Sequence, residues 1–236
     1  MNWYEGRLAA YDIETTGTDT ENDRIVTAAV CVVGGGQDTV SRTWLVDPGV
    51  EIPADATEVH GITNEKARSE GQDAAGAVAE ITEFLALQVA EDIPIVAFNA
   101  RFDLTILDRE ARRHGVTPLI ELVGGTEGLL VIDPYVLEKK INKFRKGGRT
   151  LGILCEDYGI PLTDAHAAGA DALAAARLAY RLGKINADLR AYDLPMLHED
   201  QIAWADEQGK DLQEYFDRKG RSETVHRIWP VVPYAA

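Results

Sequence analysis

The sequence predicts an α/β fold built on a mixed sheet flanked by helices, followed by a C-terminal helical extension. Three observations carry this prediction. A hairpin of β-branched segments comes first, short apolar runs then alternate with helical periodicities, and this alternation stops at Gly183. The expected division is therefore a domain over residues 1–183 and an extension over residues 184–236, packed on that domain.

The first element is Leu8 to Glu14, an apolar strand that ends in acids and meets turn chemistry at Thr15-Thr16-Gly17-Thr18. Arg24 to Val33 and Thr39 to Val46 are rich in β-branched residues, and Gly34-Gly35-Gly36 between them can take positive φ, which predicts a hairpin. A Pro-containing loop leads to His60-Gly61-Ile62-Thr63. From Gln72 to Val89, apolar residues recur every three to four positions, the period of a half-buried helix. Ile93 to Phe98 is an apolar strand, and Asn99 after it is a favourable N-cap for a helix from Ala100 to His114. Leu129 to Asp133 repeats the strand signature. Helices follow over Pro134 to Ile141, Leu151 to Tyr158 and, Ala-rich, about Gly169 to Leu182. In the extension, Leu197 to Arg218 has amphipathic spacing, and Ile228 to Tyr234 is an apolar, Pro-bearing tail.

Composition narrows the function. Asp and Glu outnumber Lys and Arg by 39 to 24, a net charge of -15, which argues against tight nonspecific binding to a phosphate backbone. An enzyme whose site charge comes from metal ions remains open. No apolar run approaches the ~20 residues that span a bilayer, and the N-terminus lacks a signal-peptide pattern, so the expected location is the cytoplasm, with no membrane partner. Cys31 and Cys155 sit in apolar surroundings and are expected to be reduced, buried thiols.

Asp12-Ile13-Glu14 places two carboxylates on one face of a strand, roughly 6.5–7 Å apart along the backbone. Like charges at the end of a buried strand are costly unless a cation compensates them. Asp19-Thr20-Glu21 has the same spacing in a turn, where both acids are expected to be solvated. Asp103 falls in the first turn of a helix beyond a strand's C-terminal end, the edge where α/β sheets bind ligands. Asp171 begins the Ala-rich helix, with His166 shortly before it. Taken alone, Asp103 and Asp171 are also helix-start acids favoured by the macrodipole, and Asp12-Ile13-Glu14 a chance tripeptide of an acidic chain, but all of them lie where one sheet edge can gather them. Lys139 to Arg149 is the basic cluster of the chain, either a solvated loop or a guide for phosphates.

In order, Asp12-Ile13-Glu14-Thr15-Thr16-Gly17, His60-Gly61-Ile62-Thr63, Asn99-Ala100-Arg101-Phe102-Asp103, and His166 followed at the fifth position by Asp171 resemble the motifs of the DEDDh exonucleases. That family includes the proofreading subunit of bacterial DNA polymerase III. The resemblance covers about Arg7 to Gly183 and implies a ribonuclease H-like fold, two divalent cations, Mg²⁺ or Mn²⁺, and release of nucleoside 5′-monophosphates from a 3′ end. It implies that Asp12, Glu14, Asp103 and Asp171 are metal carboxylates and His166 the general base. Thr15, Val59, His60, Asn99 and Phe102 are implied to line the terminal-nucleotide site, and Asp133 to be a structural acid. The expected substrate is nucleic acid with a free 3′ end, single-stranded DNA favoured, with a polymerase or repair protein as a possible partner. RNA 3′ ends are the alternative substrate, and a non-catalytic interaction domain is the alternative of another class.

Overall fold

The protein is described by a computed structural model covering residues 2–162 and 166–234. Strand β1 (Arg7–Thr15) pairs antiparallel with β2 (Ile25–Gly34), and β2 with β3 (Val40–Asp47). Gly34, Gly35 and Gly36 all have positive φ, the backbone conformation this turn requires. Two short helices follow, α1 (Ala54–His60) and α2 (Asn64–Glu70), in the stretch read from sequence as loop. No residue of α1 is buried and α2 buries only Ala67, so neither leaves an apolar stripe in the sequence.

A two-residue strand β4 (Gln72–Asp73) leads into α3 (Ala74–Ala90), whose N-cap is the Asp73 side chain accepting from the Gly76 amide. Strand β5 (Ile95–Val96) precedes α4 (Ala100–Arg113) and the short α5 (Leu119–Leu122). Strand β6 (Val131–Ile132) precedes α6 (Pro134–Ile141), α7 (Leu151–Tyr158) and α8 (Ala168–Ile185). The predicted strands 93–98 and 129–133 are therefore shorter than their apolar runs. Each parallel ladder, β1 with β5 and β5 with β6, holds only two residue pairs, while Leu130 and Ala97 beside them take part in the backbone bonds, Ile95 N donating to Leu130 O at 2.8 Å and Ala97 N to Ile132 O at 3.2 Å.

The sheet order is β4-β3-β2-β1-β5-β6, a mixed six-stranded sheet. Helix α8 covers one face, with Gly169 against Thr43 and Ala29, and α3 covers the other, with Phe84 beside Trp44 and Arg42. The core between these layers includes Tyr11, Ile81, Leu85, Ile95, Ile106 and Leu178, all essentially inaccessible. Cys31 and Cys155 are buried and free, and burial pushes the Cys155 thiol up to about 11. Among the described residues no helix is long and apolar enough to cross a membrane.

The chain ends in α9 (Ala187–Arg190), α10 (Leu194–Arg218) and a tail that returns over the sheet edge. Two side chains of α10 meet the outer edge of β6. His198 Nδ1 accepts from the Val131 amide at 3.1 Å, and Gln201 donates to the Val131 carbonyl at 2.9 Å while accepting from the Asp133 amide at 2.8 Å. Backbone groups that would otherwise be buried unpaired are thereby satisfied.

Candidate active site

Strands β1, β5 and β6 are parallel neighbours, so their C-terminal ends share one edge of the sheet. Asp12 lies opposite Ala29 and Glu14 opposite Thr27, which puts both acids on the face covered by α8. The register shifts between Glu14 and Thr15, an irregularity of the kind that re-aims side chains next to sites. From above, the first turn of α8 brings Asp171. Ligand-capable atoms of Glu14, His166 and Asp171 lie within 4.8 Å of one another.

His166 has a φ of 69°, a left-handed conformation that costs a non-glycine residue on the order of 1 kcal/mol or more. Its amide donates to Asp171 Oδ2 at 3.1 Å, which helps hold that conformation and leaves the ring exposed at the mouth of the cluster. The other Asp171 oxygen, Oδ1, is buried and has no hydrogen-bond partner among the described residues. Asp103 projects from the first turn of α4, is 3% exposed, and accepts from the Ile13 amide between the two β1 acids. Asp12 and Asp103 stand outside the tightest group but inside its field, because Asp103 is the neighbouring charge that acts most strongly on Asp12, followed by Asp171 and Glu14.

Electrostatically, burial and neighbouring carboxylates outweigh any favourable charge on the acids of the cluster. Burial first, and neighbouring carboxylates second, raise the pKa of Asp12 well above the usual carboxylate range. Asp103 is raised by the same burial, only partly offset by backbone amides. Glu14 is pushed up to about 7 by burial and by Asp171. Asp171 is raised by burial against the opposing pull of His166. Acidic oxygens that converge, are dehydrated and include an orphaned acceptor form a donor set suited to hard divalent cations such as Mg²⁺ or Mn²⁺. The residues present thus fit the metal that the motifs imply.

Of the nucleotide-lining candidates, Thr15 and His60 come together. The His60 ring lies against the Thr15 backbone, its Nδ1 accepts from the Ile62 amide at 3.1 Å, and burial holds its pKa below the usual value. His60 and His166 line one cavity of about 300 Å³, together with Lys66 and Thr43, which sequence reasoning did not single out because nothing local marks them. Val59, on α1, is 53% exposed. Asn99 and Phe102 start α4 at the same edge as Asp103.

The expected capping by Asn99 needs correction. Asn99 has a φ of 67° and its side chain makes no cap hydrogen bond. The helix is capped instead from a neighbouring strand: Asp133 accepts from the amides of Asn99 and Ala100, each at 2.9 Å. A carboxylate 34 residues away performs the task that local sequence assigned to Asn99. The basic cluster is largely paired within the protein. Arg145 and Arg149 face the fully buried Glu138, and Lys143 bridges Glu207 and Asp211 of α10, so much of its charge is neutralised in place.

Fold and site together are those of an α/β exonuclease domain. The RNase T exonuclease family matches residues 9–179. The chain is 27% identical over 205 residues to the PolC-type DNA polymerase III of Clostridium perfringens, spanning 85% of this chain and 13% of that one. It is 26% identical over 182 residues to the PolC-type polymerase of Streptococcus pyogenes, 76% of this chain and 11% of the relative. An exonuclease I structure superposes with a TM-score of 0.68 at 20% identity, covering 79% of this chain and 43% of the other. Exonuclease I of Methylocaldum szegediense gives a TM-score of 0.63 at 23% identity, covering 78% and 41%. The chain belongs to the RNase T exonuclease family, that of the DEDD-type 3′–5′ exonucleases.

Proposed function

We propose that the protein hydrolyses nucleic acid from the 3′ end, releasing nucleoside 5′-monophosphates, with single-stranded DNA as the favoured substrate and Mg²⁺ or Mn²⁺ as cofactor. One observation carries this reading: four acids of raised pKa meet at the parallel edge of the sheet, and one buried oxygen among them has no partner. A protein that only bound partners would have no use for so costly a group. Asp12, Glu14, Asp103 and Asp171 would hold two cations. Bound there, divalent metal supplies Lewis acidity toward the scissile phosphate and lowers the pKa of water.

The remaining work falls to the chain itself. His166, exposed beside Glu14 and Asp171, takes the proton of the attacking water and returns it to solvent. The cavity shared by His60 and His166 supports a terminal-nucleotide site, with Thr15, Val59, Asn99 and Phe102 as its other candidate walls. Single-stranded DNA is favoured because E. coli exonuclease I, similar in fold at a TM-score of 0.63 and 21% identity, has been crystallised with a dT13 oligonucleotide. A proofreading or repair setting in the cytoplasm, with a polymerase as partner, is part of the same proposal, and the similarity to PolC-type DNA polymerases III supports the polymerase link.

The test is release of mononucleotides from 3′-labelled DNA and RNA strands assayed in parallel, with Mn²⁺ and with chelator. Metal-dependent 3′ release with DNA ahead of RNA is the expected result. Faster trimming of RNA would reassign the substrate, and no release from either strand would refute the enzymatic reading.

A further inference from the structure

Beyond residue 179, where the family match ends, the chain reaches back into the support of the active site. The Trp229 indole is 3% exposed, packs against the His198 ring at 5.2 Å between centroids with the planes tilted by 43°, and donates from Nε1 to Asp133 Oδ2 at 3.3 Å. Asp133, 1% exposed, thereby accepts four donors: Asn99 N and Ala100 N at 2.9 Å, Tyr135 N at 3.0 Å, and the indole. Two of these amides open α4, the helix that carries Asp103 in its first turn.

The tail then runs along the same helix. Arg101 donates to the His226 carbonyl, Thr105 Oγ1 accepts from the Val232 amide at 3.1 Å, and Arg109 donates to the Pro233 carbonyl at 3.3 Å. Spacings of four residues place these contacts on one stripe of α4. A helix gripped at its first amides and along one side cannot shift or rotate without breaking several hydrogen bonds at once, the Ala100 amide and indole bonds to Asp133 being buried.

We infer that Trp229 is a positioning residue for the exonuclease site: through Asp133 it fixes the N-terminus of α4 and thereby the place of the Asp103 carboxylate. The inference rests on the reading of the acids as a divalent-cation site. Without the indole N–H, Asp133 Oδ2 keeps only the Ala100 amide of its two donors, so the carboxylate is less firmly oriented and Asp103 samples a wider range of positions relative to Asp12.

The experiment measures Mn²⁺ binding without substrate, by electron paramagnetic resonance of the free ion, on the full chain and on three variants. Trp229→Phe keeps an aromatic ring, though a smaller one, and removes the donor. It is expected to weaken Mn²⁺ binding about tenfold, the lower end of what outer-shell partners are worth, while its circular dichroism stays that of the parent. Tyr234→Ala, at the far end of the strap where the ring lies 4.9 Å from the Arg112 guanidinium, is expected to lower the melting temperature and leave Mn²⁺ binding unchanged. Should Trp229→Phe fail to fold, Asp133→Asn tests the same link from the other side, because its amide cannot accept on both atoms, and weakened binding is again expected. Parent-like Mn²⁺ affinity in Trp229→Phe, or in Asp133→Asn where that variant has to serve, would overturn the inference. A parent chain that binds no Mn²⁺ would instead remove the cation reading beneath it.

Discussion

Glu14 offers the sharpest quantitative test of the site. Its carboxyl titrates near about 7 in the folded chain against an ordinary value of 4.5, with burial the larger cause and Asp171 the smaller. Below the unfolded value both states are protonated and ionisation costs the fold nothing. As pH rises from 4.5 through about 7 the folded state increasingly bears a penalty that the unfolded state escapes, so metal-free stability falls across that window. The full shift corresponds to about 3 kcal/mol, and partial exposure of Glu14 to screening solvent reduces this to roughly 1–2 kcal/mol. With an unfolding entropy of about 0.5 kcal/mol/K for a chain of 236 residues, Glu14→Gln should melt about 2–4 °C higher than the parent. That gain is expected in chelator at pH 8.5 and should vanish near pH 4.5. Saturating Mn²⁺ should narrow or reverse it, since the parent alone retains the full ligand set. Scanning calorimetry reads all three conditions. A Glu14→Gln protein no more stable than the parent in chelator at pH 8.5 would refute the claim that this carboxylate is held ionised at a cost.

Asp12→Ala or Asp103→Ala should abolish 3′ release while the far-ultraviolet circular dichroism is retained; Asp19→Ala, whose side chain only caps its own turn, should leave the rate within about twofold, and activity within severalfold of the parent in Asp12→Ala would remove it from the site. His166→Ala should keep Mn²⁺ binding within severalfold yet lose about 10²-fold or more in kcat, and a parent-like rate would assign proton removal to another group. Glu138→Ala should cost about 3 kcal/mol in urea denaturation, because Arg145 and Arg149 converge on this fully buried carboxylate and would lose their partner; a loss under 1 kcal/mol would show that water replaces it.

Legibility from sequence followed the range of the interactions concerned. Helices α6 and α7 have the bounds that periodicity predicted, because Thr150 caps α7 through its own neighbour Ile153 and Asp133 with Pro134 opens α6, all within a few residues. The order of strands and helices was legible for the same reason. Helices α1 and α2 were missed because they lie on the surface, where no apolar stripe is needed. The Asn99 error is of another kind: the residue type was right for a cap, but Asp133 comes from a strand that only the tertiary fold brings alongside. Convergence of Glu14, His166 and Asp171 was inferable from their places at strand and helix ends. Nothing in Gln201, His198 or Trp229 announced what they bond to, since their partners lie 67 to 96 residues away.

The side chains that α10 lays on β6 also decide where this sheet can grow. His198 and Gln201 occupy the Val131 amide and carbonyl that a seventh strand would need, so an extended segment from another molecule finds no template there unless the start of α10 unwinds. At the opposite side, β4 pairs with β3 only at Val46 and Asp47, and the exposed stretch from Val40 to Thr43 keeps an open outer edge among the described residues. Arg42 on that stretch, drawn over the Phe84 ring, is the kind of charge that discourages such pairing. Under partial denaturation, intermolecular association by strand addition therefore starts at β3, and the first amides to exchange their solvent for a neighbouring chain are those between Val40 and Thr43.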